Sequence, residues 1–94
     1  ADDAWKFGGL AGEVIASICE DESLTLKAHP KRVTYPDFPS PSTHGLTKFY
    51  YNGPVEIMRA VAQVMKRDLD LTAAMNYQGA RVHDVPDQSF KGPF

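Results

Sequence analysis

The stretch Lys48-Phe49-Tyr50-Tyr51-Asn52-Gly53-Pro54-Val55-Glu56-Ile57-Met58-Arg59-Ala60-Val61-Ala62-Gln63-Val64-Met65 holds the strongest local signals of the chain. Leu46 to Tyr51 has the aromatic and β-branched content of a strand. Gly53 followed by Pro54 fits an N-cap and first helical position, where proline's fixed φ and missing N–H cost nothing. Glu56 falls at the third position, where a carboxylate favours the helix dipole. Val55, Met58, Val61, Ala62 and Met65 then share one helical face, widened by Ile57 and Val64. Beyond it, Leu69, Leu71 and Ala73 alternate with Asp70 and Thr72, the pattern of a half-buried strand. The expectation is a β-α-β unit with no chemistry in it, which tilts the reading toward a binding or assembly module.

Working outward, Leu10, Val14 and Ile18 recur every four residues, with Ala11, Ile15 and Cys19 beside them, predicting a helix over 9–20. The acidic run Glu20-Asp21-Glu22 opposes the dipole at a C-terminus and should end it. Ser23 to Ala28 alternates like a strand, and Arg32 to Tyr35 like a short return strand. Residues 36–45, with Pro36, Pro39 and Pro41 among Ser and Thr, read as a loop. Asn76 to Gly79 reads as a turn and Ala80 to Val85 as a further strand. The fold class expected for 1–94 is therefore a single small α+β domain, two helices packed on a small mixed β-sheet.

Ninety-four residues, 43% hydrophobic and 11% aromatic, suit one globular domain with a small core. The net charge of −2 gives no footprint for nucleic acid, and the closest basic group in the sequence is Lys27, Lys31 and Arg32. No run reaches the roughly 20 apolar residues of a membrane span. No secretory signal peptide is recognised. The chain opens Ala1-Asp2-Asp3-Ala4, as a cleaved precursor or a trimmed chain would. Cys19 is the only cysteine, so no internal disulfide forms. On the apolar stripe of its helix it is expected to pack as a small hydrophobe, not to act as a nucleophile.

Catalytic patterns are weak. His29, His44 and His83 are dispersed, without the spacing of a local metal pair. Asp2-Asp3 and Glu20-Asp21-Glu22 read as solvated charge runs. Gly8-Gly9 lacks the lysine and further glycines of a phosphate loop. Met58, Met65 and Met75 read as core filler. The expectation is a non-enzyme with no cofactor. Large aromatics near the ends, Trp5, Phe7, Phe90 and Phe94, stand out as protein-binding anchors, joined by Tyr50 and Tyr51.

The run Phe49 to Ala62 resembles the secretin N-terminal domain (N0, or STN), in the variant found in DotD/TraH-type components of type IVB secretion and conjugation systems. The likeness covers about residues 46–86. It implies a secretin N0-like β-α-β core and a non-catalytic, periplasmic or cell-envelope module of a secretion, conjugation or pilus apparatus. Its partners would be other protein subunits, a secretin or copies of itself. The alternative from another class is a small inhibitor or immunity-type protein that blocks an enzyme.

Overall fold

A computed structural model describes residues 1–81, 89 and 91–93. Its regular elements are four helices: α1 (Leu10–Glu20), α2 (His44–Tyr50), α3 (Pro54–Met65) and α4 (Thr72–Gly79). No strand occurs among the described residues. The nearest thing to a sheet is an isolated parallel bridge between Trp5 and Tyr35. There the Tyr35 N–H donates to Ala4 O at 2.9 Å and the Lys6 N–H to Tyr35 O at 3.1 Å. The expected α+β fold, with helices on a mixed sheet, is thus corrected to a helical one, and the secretin-like β-α-β core goes with it.

The corrections have local causes. Over 46–51, Thr47 and Tyr50 are the buried residues of α2, a spacing of three that belongs to a helix face and not to a pleated strand. The Thr47 hydroxyl donates back to His44 O at 2.8 Å, the intrahelical bond that makes a β-branched threonine acceptable there. Over 69–79 the alternation of Leu69, Leu71 and Ala73 is overruled by Ala73, Ala74, Met75 and Gln78, all good helix formers. Asp70 Oδ1 accepts the Thr72 N–H at 3.0 Å and leads the chain into α4. Residues 23–28 find no partner strand, and Leu24 and Leu26 stay exposed. Of the strand expected over 80–85, Ala80 caps α4, and 82–85 lie outside the described residues.

Two elements form as their sequences dictate. α3 starts at Pro54 behind Gly53, and Glu56 Oε2 accepts the Gly53 N–H at 2.8 Å, satisfying a donor the helix start would orphan. α1 ends at Glu20. Ahead of it Gly8 takes φ +73°, a turn that glycine makes without steric cost. Asp2 Oδ2 accepts the Ala11 N–H at 3.0 Å, so a carboxylate from the N-terminal lead meets the positive end of α1.

The core is small and consists of Tyr50 of α2 and Val55 at the start of α3, with Thr47 the buried polar residue beside them in the sequence. Tyr50 and Val55 are each 5% exposed. Around Tyr50 stand Tyr35 at 5.2 Å, Tyr51 at 5.2 Å and Phe38 at 5.6 Å between ring centroids, distances at which tilted and edge-on aromatic pairs attract. Phe38, with the hydrogen bond of 2.9 Å between Ser40 Oγ and Tyr51 OH, ties the proline-rich loop to this cluster. Gln78 of α4 clamps the start of α3: its Oε1 accepts the Val55 N–H at 3.0 Å and its Nε2 donates to Glu56 Oε2 at 3.0 Å.

Candidate functional site

The helical stripes extend beyond what this core covers. On α3, Val55 is buried, yet Ile57, Val61 and Met65, spaced by four, are exposed. They line one shallow apolar hollow with Val33 and Val64. On α1 no residue is buried, and Leu10 is 69% exposed, with Val14 and Ile18 also open. Leu10, Val14 and Ile15 line a second hollow. Ala1 and Lys31 border both hollows, so the two apolar faces adjoin.

The accessible surface of the chain is 7808 Å², against about 5,400 Å² for a folded monomer of its mass. Its radius of gyration is 15.8 Å, where a compact chain of this length has about 12 Å. Among the described residues the open large apolar side chains include many aliphatic ones, Leu10, Val14, Ile18, Ile57, Val61 and Met65 on α1 and α3 among them.

The aromatic anchors expected from sequence separate into three groups. Trp5 is docked: its backbone bridges Tyr35 and its Nε1–H donates to Tyr50 OH at 3.1 Å, while half its surface remains open. Phe7 is 87% exposed, with its backbone N–H held by Asp37 Oδ1 at 2.7 Å. Tyr50 is buried and Tyr51 half-buried, so both belong to the cluster and Tyr50 has no surface to offer. Phe90 and Phe94 lie outside the described residues. The structure therefore brings Trp5, Tyr50 and Tyr51 together and leaves Phe7 apart from the cluster.

Cys19, expected to pack inside, is exposed, because the stripe of α1 on which it sits is itself uncovered. His29 is on the surface, His44 opens α2, and His83 lies outside the described residues. Among the described residues no three His, Cys, Asp or Glu side chains gather as a metal ion would need. No helix among them is long and apolar enough to cross a membrane.

A second surface is polar. Lys6, Lys31, Arg32 and Arg59 line one open groove of about 460 Å³, with Glu56 the only carboxylate among its described lining residues. The segment carrying Arg32 is tethered on both sides: the Asp2 N–H donates to Val33 O at 2.9 Å and Asn52 Nδ2 to Thr34 O at 2.6 Å. Arg32 Nη1 donates to Lys6 O at 2.7 Å, which orients the guanidinium. Burial alone would raise the Glu56 carboxyl. Hydrogen bonds from the Gly53 N–H and the Gln78 amide, aided by Arg59, outweigh it and hold Glu56 below its ordinary value. Elsewhere the largest effect on Tyr35 is burial, followed by the Asp3 carboxylate that accepts its phenol proton, and together they push it above the ordinary 10.0.

Sequence reasoning missed both the groove and the openness of α1. Lys6 and Arg32 are 26 residues apart, and only pairing of the lead with 33–35 unites them beside Arg59. No local charge run carries that signal. Compared with known protein families, curated proteins and solved structures, the chain matches none.

Proposed function

We propose that this chain is a non-catalytic protein-binding module, and that the adjoining apolar faces of α1 and α3 are its docking surface. The observation that carries this reading is that Leu10, Val14, Ile57, Val61 and Met65 stand open along two helices whose hollows adjoin. A helix that places a broad apolar stripe in water gains little from folding alone and more from a partner that covers it. Trp5 and Phe7, both exposed on the N-terminal lead, are additional aromatic anchors in this proposal. The setting in a bacterial envelope apparatus belongs to the same proposal. It rests on the sequence likeness of Phe49 to Ala62, whose strand-forming portion is helical.

The test is capture from an envelope extract with two baits, the chain itself and its Val61→Asp variant, after circular dichroism has shown equal helix content. Subunits of a secretion or conjugation apparatus, or further copies of the chain, should be retained by the first bait and weakened at least about tenfold by a charge in the middle of the apolar contact. Equal retention by both baits rules out this face. Retention of one soluble enzyme in a one-to-one complex replaces the assembly reading with the inhibitor reading.

A further inference from the structure

We infer that the groove between the N-terminal lead, residues 30–34 and α3 is a binding site for a compact phosphorylated ligand. Four cationic side chains, Lys6, Lys31, Arg32 and Arg59, face one carboxylate there. The groove is thus strongly positive in a chain whose net charge is −2. That carboxylate, Glu56, is occupied by the Gly53 N–H and Gln78 Nε2, so its charge is spread into the start of α3 and the clamp from α4.

The cations come from three separate segments and converge. They do not run as a stripe along one helix but line one open groove, where their like charges add to a positive surface potential. A volume of about 460 Å³ lies within the roughly 300–1,000 Å³ typical of small-ligand sites. Arg32 supplies a guanidinium already oriented by Lys6 O, and a guanidinium fork matches a phosphate better than a lone ammonium does. Asn52 also lines the groove and, through its bond to Thr34 O, holds the Arg32 segment against the turn before α3. This site adjoins the apolar docking face and shares Lys31 and Val33 with it, so it is tested on the chain alone, with no partner on that face.

The experiment is a titration of the isotope-labelled chain with inorganic tripolyphosphate at about 50 mM salt, where surface charges are only partly screened, followed by amide chemical shifts. Saturable shifts are expected at Lys6, at 31–34 and around Arg59. The dissociation constant should rise at least about tenfold in Arg59→Gln and in Arg32→Gln. It should rise less in Arg32→Lys, which keeps the charge and loses the fork. Lys48→Gln, outside the groove, should leave it unchanged. Arg32→Gln also removes the bond to Lys6 O, so if dichroism shows a disturbed fold, Arg59→Gln, an exposed residue of α3, carries the test.

Absence of saturation up to about 10 mM, weaker than almost any specific site, overturns the proposal. So does a loss in Lys48→Gln equal to that in Arg59→Gln, which would mean diffuse charge screening. Tighter binding of single-stranded RNA, with shifts spread beyond the groove, overturns it in favour of nucleic acid. A soluble sugar bisphosphate and vesicles bearing phosphorylated headgroups then identify the source. Preference for either supports the site and says whether a metabolite or a lipid supplies the phosphate.

Discussion

α1 and α3 are built from similar material and end in different situations. Each is about three turns long, opens behind a glycine and carries an apolar stripe of aliphatic residues. α3 is fixed at its start by Val55 in the core and by the Gln78 clamp on Val55 and Glu56. α1 is fixed at its start by a single carboxylate, Asp2, and buries no side chain. Amphipathicity alone therefore does not decide whether a helix joins a core. What decides it here is an adjacent partner: α4 packs against α3 and clamps its first turn through Gln78, whereas α1 is followed by residues 21–32, which form no element to cover it.

This contrast can be broken most severely at Tyr50. Replacing it with Ala removes a buried ring with three aromatic neighbours and the acceptor of the Trp5 indole. A loss of at least about 3 kcal/mol in the urea unfolding free energy is expected. A loss below about 1 kcal/mol would show that the cluster is not the centre of stability.

The next effect is a paired one. Val55→Ala in α3 should cost about 2 kcal/mol, the transfer and cavity terms for two buried methyls. Val14→Ala in α1, the same chemistry on an open stripe, should change stability by less than about 0.5 kcal/mol. Equal costs would mean that α1 is covered in solution, by a partner copy or by the C-terminal residues.

The smallest effect sharpens the comparison through pH. Glu56 is depressed in the folded state from its ordinary 4.5, so its contribution is fully present above that value. It is lost as pH falls through the lower folded value, because the unfolded chain then binds the proton more readily. The urea midpoint should fall as pH drops from 6 toward 3, and Glu56→Gln should flatten the part of that fall due to α3. An unchanged slope in Glu56→Gln would show that the clamp carries no charge dependence.

How much of this was legible in the sequence follows from where each signal resides. The bounds of α1 and α3 are local: periodicity, Gly-Pro, Glu56 at the third position and the acidic run after Ile18 suffice. α2 and α4 were not, since aromatic content and alternation favour strand in a segment too short for its helical period to show. A strand also needs a partner to hold its backbone hydrogen bonds, and no six-residue window reveals whether one exists. The proposed phosphate groove is less legible still, because its cations are scattered from Lys6 to Arg59 and long-range pairing of the lead with residues 33–35, through the bridge at Trp5 and Tyr35, brings Lys6 beside Arg32.

That same bridge has a practical consequence. The chain has one tryptophan, and its indole is hydrogen-bonded to the phenol of Tyr50, which packs tilted and edge-on against two further tyrosines. Light absorbed by these phenols can pass to the indole, so the emission of Trp5 registers whether the N-terminal lead is seated on α2. The protein carries its own optical gauge, and a ligand that loosens or tightens the lead would announce itself without a dye or a label.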